Sequence, residues 1–221
     1  MNMRKILLLA CFISFNLYFT QTNEDIDNFE FYYGYKDYLN DAPVKSKVKG
    51  EIKTATEKYF KVSKFRYKDT DEKAKPENFT WAIKFNNDLY LSMWNAAYIY
   101  SDSFVKVDIV SKRYWVVFLN EKKDSKVIGA NNPYGGGLIG AALNIRPRSS
   151  WKNKNGENYK ILLIDFENPN ITRSRPKDAN AFLVDTKKIL EVTNNDPEVI
   201  EKLKEEKYTI EDFANFIKSK I

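Results

Sequence analysis

The chain has 221 residues, with 36 Lys and Arg against 30 Asp and Glu, one Cys and no His. Without imidazole there is no Ser-His-Asp or Cys-His catalysis and no His-bearing metal site, and a single thiol excludes an intrachain disulfide, a thiolate zinc cage and cluster ligation. Composition alone names no specific activity.

In chain order, Arg4-Lys5 precede an apolar stretch from Ile6 to Phe19, and Gln21 to Asp25 turn polar and acidic. That grammar predicts a signal peptide over 1–20. The stretch is shorter than the roughly 18–20 residues that span a bilayer core, so removal is expected rather than anchoring. A lipoprotein reading of Leu8-Leu9-Ala10-Cys11 is disfavoured, because few apolar residues precede the cysteine and the sequence after it stays apolar. Removal takes Arg4, Lys5 and Cys11 with it, leaving 34 basic and 30 acidic groups, a balance of +4, and neither Cys nor His. Interspersed charges of both signs read as a solvated surface and give no reason to expect nucleic acid.

The remainder, 21–221, reads as one β-rich domain. Phe29 to Leu39 suggests an extended arm turning at Gly34 into a short helical turn stopped by Pro43. Val44 to Lys49, with Lys45, Lys47 and Lys49 alternating, suggests an edge strand. Tyr59 to Tyr67 reads as a strand, and Trp81 to Phe85 with Leu89 to Trp94 as a hairpin over a three-residue loop. Phe104 to Val110 alternates as one strand and pairs across Ser111-Lys112 with a central strand at Arg113 to Leu119. Lys68 to Asn78 reads as a loop. Further strands are expected at Leu138 to Ile145, Tyr159 to Phe166 and Ala181 to Val184.

The tail changes period. Asp196 as N-cap with Pro197, and the capping box opened by Thr209, predict two short amphipathic helices at about 196–220. The fold class is therefore α+β: a mostly antiparallel sheet, curled or barrel-like, with helices gathered at the C-terminal end.

Chemistry is sparse. Gly129 to Gly140 carries five glycines but none of the partners of a phosphate loop, and reads as a flexible connection. Arg146, Arg148, Arg173 and Arg175 form two Arg-x-Arg pairs suited to anions such as lipid head groups or acidic glycans. Asp108, Asp165 and Asp185, each in or ending a predicted strand, are the carboxylates from which a glycosidase pair could be drawn. Trp81, Trp94 and Trp115 read as core aromatics, and Trp151, between Ser150 and Lys152, as an exposed one. No catalytic residue, metal ligand or cofactor is assigned.

Two patches carry a resemblance: Tyr33-Gly34-Tyr35-Lys36-Asp37-Tyr38-Leu39-Asn40-Asp41-Ala42-Pro43, and the tail from Phe182 to Leu190 followed by Asn195-Asp196-Pro197-Glu198. They resemble small uncharacterised exported proteins of Gram-negative bacteria. The resemblance implies a β-rich exported domain, with no site residues to carry over. The expectation is an exported, periplasmic or outer-membrane-associated protein, non-enzymatic, binding an envelope lipid, a glycan or another envelope protein; the alternative is a carboxylate-dependent glycan hydrolase.

Overall fold

A computed structural model describes residues 30–45, 48–56, 58–74, 80–85, 87–97, 103–128, 148–169 and 180–220. The expected signal peptide, the glycine-rich segment, the strand at 138–145, and Arg146, Arg173 and Arg175 lie outside the described residues.

Among the described residues the architecture is α+β, with two antiparallel sheets and short C-terminal helices. The first sheet contains β1 (Glu30–Tyr32), β2 (Val44–Lys45), β3 (Val48–Ala55), β4 (Tyr59–Tyr67), β5 (Ala82–Phe85), β6 (Asp88–Ser92) and β7 (Ser103–Lys106). Its order is β2-β1-β5-β6-β7-β4-β3. The second contains β8 (Ile109–Val110), β9 (Tyr114–Asn120), β10 (Trp151–Lys152) and β11 (Asn158–Asp165), in the order β10-β11-β9-β8, with β12 (Phe182–Leu183) also paired to β11. The helices are α1 (Tyr35–Leu39), α2 (Ser125–Ile128), α3 (Thr186–Val192), α4 (Pro197–Lys204) and α5 (Ile210–Lys218).

Connectivity forces the first sheet to curl. Its two edges, β2 and β3, are separated in sequence only by residues 46 and 47. Three Cα steps from Lys45 to Val48 span at most ~11 Å. A flat sheet of this many strands would hold its edges about 29 Å apart. The edges can be that close only if the sheet rolls up. Irregular pairing of β3 with β4 between Lys49/Glu51 and Ile52/Thr54, and Lys64 at φ 52°, supply bulges that bend the strands.

Strand alternation then sorts side chains into three cores. Inside the roll, Phe31, Phe60, Val62, Ile83, Tyr90 and Phe104 pack together. Their neighbours Tyr32, Tyr59, Ala82, Leu91 and Val105 point outward and meet Trp115, Val117, Leu119, Leu162 and Ile164 of the second sheet. The opposite face of that sheet, Tyr114, Val116, Ile161 and Leu163, is covered by Ile189, Leu190, Leu203, Phe213 and Ile217 of α3 to α5. Apolar on both faces, β9 is central, lying between β8 and β11.

Three expectations need correction. Phe104 to Val110 is not one strand: the chain leaves the rolled sheet at β7 and enters the second as β8, so Val105 and Val107 join one core and Ile109 another. The hairpin of β5 and β6 closes over two residues, because Phe85 pairs with Asp88. The tail carries three helices, not two, since Asp185 accepts from the Lys188 amide at 2.8 Å and starts α3 directly after the strand expected to end at Val184. The two expected helices begin at their expected caps, Asp196 and Thr209.

Candidate functional site

The three candidate carboxylates each hold local structure. Asp108, where the chain changes sheets, pairs with Lys58 and accepts from the Phe118 amide at 2.6 Å. Asp165, 2% exposed, accepts from Arg113 Nε at 3.2 Å and Nη2 at 3.3 Å, and from the amides of Glu167 and Asn168 that turn the chain beyond β11. That pairing raises the Arg113 pKa through its hydrogen bond. Asp185 is the N-cap of α3.

Register also keeps the three apart. Leu162 faces Leu183 and Leu163 faces Phe182, which sets Asp185 level with Lys160, five residues along β11 from Asp165. At the usual strand rise that is roughly 17 Å. Asp108, whose amide donates to Val116 O at 2.8 Å, sits level with Val117 and hence with Leu162. Three residues along and two strands across, it lies roughly 14 Å from Asp165 in Cα position. Glycosidase pairs hold their carboxyl groups, rather than their Cα atoms, about 5–5.5 Å or about 6.5–9.5 Å apart.

Of the four arginines singled out, Arg148 is described. Its backbone exchanges hydrogen bonds with Thr186, whose amide reaches Arg148 O at 2.9 Å and whose Oγ1 accepts from Arg148 N at 2.9 Å. Its guanidinium lies 5.1 Å from the Trp151 ring centroid and donates to Leu203 O at 3.5 Å, at the C-terminal end of α4 where a cation is favoured. Burial lowers the Arg148 pKa, partly offset by Glu206.

Trp151 is not exposed. It is fully buried, its Nε1 donates to Val184 O at 2.8 Å, and Tyr208 meets it edge-on at 5.9 Å. Its polar neighbour Lys152 is the outward residue of a two-residue strand, so the polar flanks record alternation and not a loop surface.

A carboxyl that sequence reasoning missed is Asp124, buried and raised in pKa chiefly by desolvation. Its Oδ2 accepts from the Asn120 amide at 2.8 Å, while Asn120 Oδ1 accepts from the amides of Lys122 and Lys123, so the pair holds the turn after β9. The run Asn120 to Asp124 was the sequence cue, since Asn and Asp bond to nearby amides in turns. Among the described residues no group of three or more His, Cys, Asp or Glu is placed to hold a metal ion.

The second unforeseen feature is a node between the sheets. Trp81 and Trp115 stack with centroids 5.3 Å apart. Tyr38 of α1 meets Trp115 edge-on at 4.2 Å and stacks on Phe166 at 5.2 Å, so α1 covers the node. Asp37, accepting from the amides of Tyr33 and Gly34 at 3.0 and 2.9 Å, starts that helix and thereby places Tyr38. Beneath it Trp81 Nε1 donates to Asn180 Oδ1, and Asn95 Nδ2 donates to Thr80 O. The tryptophans were legible as core residues; Asn180, a polar residue in loop-like sequence, gave no cue.

With this geometry in place, comparison with known proteins adds one relation: the model of a family of unknown function matches residues 30–217. No curated protein and no solved structure matches the chain.

Proposed function

We propose, from the premise that the chain belongs to that family of unknown function, DUF6563, that it is an exported binding or envelope-interaction protein that performs no catalysis. The observation that carries this reading is the spacing and engagement of Asp108, Asp165 and Asp185: each caps or pairs locally, and their register sets Asp165 roughly 14–17 Å in Cα position from the other two, which disfavours a two-carboxylate pair. A chain without histidine has few other routes to general acid–base catalysis. The basic, then apolar, then acidic start of the sequence supports export.

Cell fractionation with N-terminal sequencing of the native protein tests export. A mature terminus close to Gln21, in the periplasmic or outer-membrane fraction, is expected; an intact Met1 terminus in the cytoplasmic fraction would sink it. Envelope glycans incubated with the mature chain should be left uncleaved. Binding partners are sought among envelope lipids, glycans and envelope proteins. If the Arg-x-Arg pairs make an anion site, binding to acidic lipid vesicles weakens when Arg146, Arg148, Arg173 and Arg175 become Gln, and unchanged binding removes that role.

A further inference from the structure

We propose that the node between the two sheets is an internal water site. Thr80, Trp115 and Asn180 are all but inaccessible, at 1%, 0% and 0% exposure, and Thr80 Oγ1, Trp115 Nε1 and Asn180 Nδ2 have no hydrogen-bond partner among the described residues. The three residues are linked through Trp81. Trp115 stacks on Trp81, Trp81 bonds to Asn180 at 2.9 Å, and Thr80 directly precedes Trp81. The Ala181 amide donates to Ala96 O at 2.7 Å and ties the segment carrying Asn180 to the turn that follows β6.

All three orphaned atoms are hydrogen-bond donors. A buried donor without an acceptor carries its full desolvation penalty, and native interiors leave few such groups. Three such groups around Trp81 therefore call for an acceptor that the described residues do not supply. The surrounding rings restrict its size: Tyr38 lies 4.2 Å and Phe166 5.5 Å from Trp115, centroid to centroid. An anion is disfavoured, because the residues packed around Trp81 and Trp115 are aromatic and aliphatic and a buried charge needs a partner. Water satisfies the chemistry, since a buried water makes about three hydrogen bonds to polar groups that otherwise lack them. Its bridges join three parts of the chain distant in sequence: the entry to β5, strand β9 and the entry to β12. This site is independent of what the protein binds at its surface.

The test uses the whole protein with ¹⁵N-labelled tryptophan and asparagine, and reads magnetisation transfer from water to side-chain N–H protons. The Trp115 indole and the Asn180 amide should show transfer from slowly exchanging water, while the Trp151 indole, bonded to Val184 O, stays dry and serves as the internal control. A Trp115 indole as dry as that of Trp151 overturns the proposal. Trp115→Phe keeps a ring in the stack and removes the donor. Loss of a watered hydrogen bond should lower Tm by about 2–4 °C, whereas relief of an unpaired donor would raise it and count against the site. Should that variant fail to fold, the wild-type transfer experiment decides alone.

Discussion

Trp81 Nε1 donates to Asn180 Oδ1 at 2.9 Å across 99 positions of sequence, a bond wholly inside the molecule. It fixes the segment entering β12 against the segment entering β5. Asn180→Ala removes the acceptor and leaves the indole N–H buried without a partner, a loss of about 1–3 kcal/mol. Urea unfolding followed by tryptophan fluorescence should show that loss as a lower midpoint with an unchanged slope. An unaltered midpoint would mean that the bond contributes nothing net.

Asp165 separates the structural from the catalytic reading. Asp165→Asn retains the shape but removes the charge held by Arg113 and weakens the turn caps at Glu167 and Asn168, so stability should fall by about 1–3 kcal/mol. Glycan turnover is expected to be absent from wild type and variant alike. Measurable wild-type turnover that disappears in a variant of intact stability would establish the hydrolase instead.

Helix α5 starts from a reciprocal cap: Thr209 Oγ1 accepts from the Asp212 amide at 3.3 Å and Asp212 Oδ2 accepts from the Thr209 amide at 2.9 Å. Thr209→Ala should cost about 0.5–2 kcal/mol. Burial by itself would raise the Asp212 pKa, but hydrogen bonds from Thr209 and the nearby Lys202 ammonium outweigh it and leave the pKa lowered. A carboxyl lowered on folding stabilises above its unfolded value, near pH 3.9, and that stabilisation is lost as pH falls through the folded value. The stability gap between wild type and Asp212→Asn should therefore be full at pH 6 and close on acidification below about pH 4.

Phe60 tests the roll. It lies inside, stacked on Phe104 at 5.5 Å and tilted against Tyr90 at 4.8 Å. Phe60→Ala should cost about 3–5 kcal/mol, read by denaturant unfolding. Tyr67→Ala, at an exposed position on the same strand, should change stability by less than about 0.5 kcal/mol.

What the sequence made legible was local. Strand β4 has the bounds that its aromatic and lysine pattern suggested, and α4 and α5 begin at side-chain caps, because both signals reside within a few adjacent residues. The change of sheet between Lys106 and Ile109 was illegible because alternation continues through it while the partner strand changes. Residues 182–190 carry Val, Leu and Ile in a density that suits a strand as well as a helix, and only Asp185 as N-cap separates the two at Thr186. Trp151 misled because a two-residue strand has no period to detect. Sheet order, and with it the separation of the carboxylates and the meeting of Trp81 with Trp115, depends on pairings between segments far apart in sequence, which no local pattern encodes.

Two residues, 46 and 47, tether opposite margins of the rolled sheet, and the tether is peptide backbone, which denaturant cannot dissolve as it dissolves a hydrogen-bonded seam. Cutting it once would release both margins together. A circular permutant with its new ends at that point would keep every side chain of the roll and lose the hoop that holds it round, freeing its two edge strands to part and pair with neighbouring molecules.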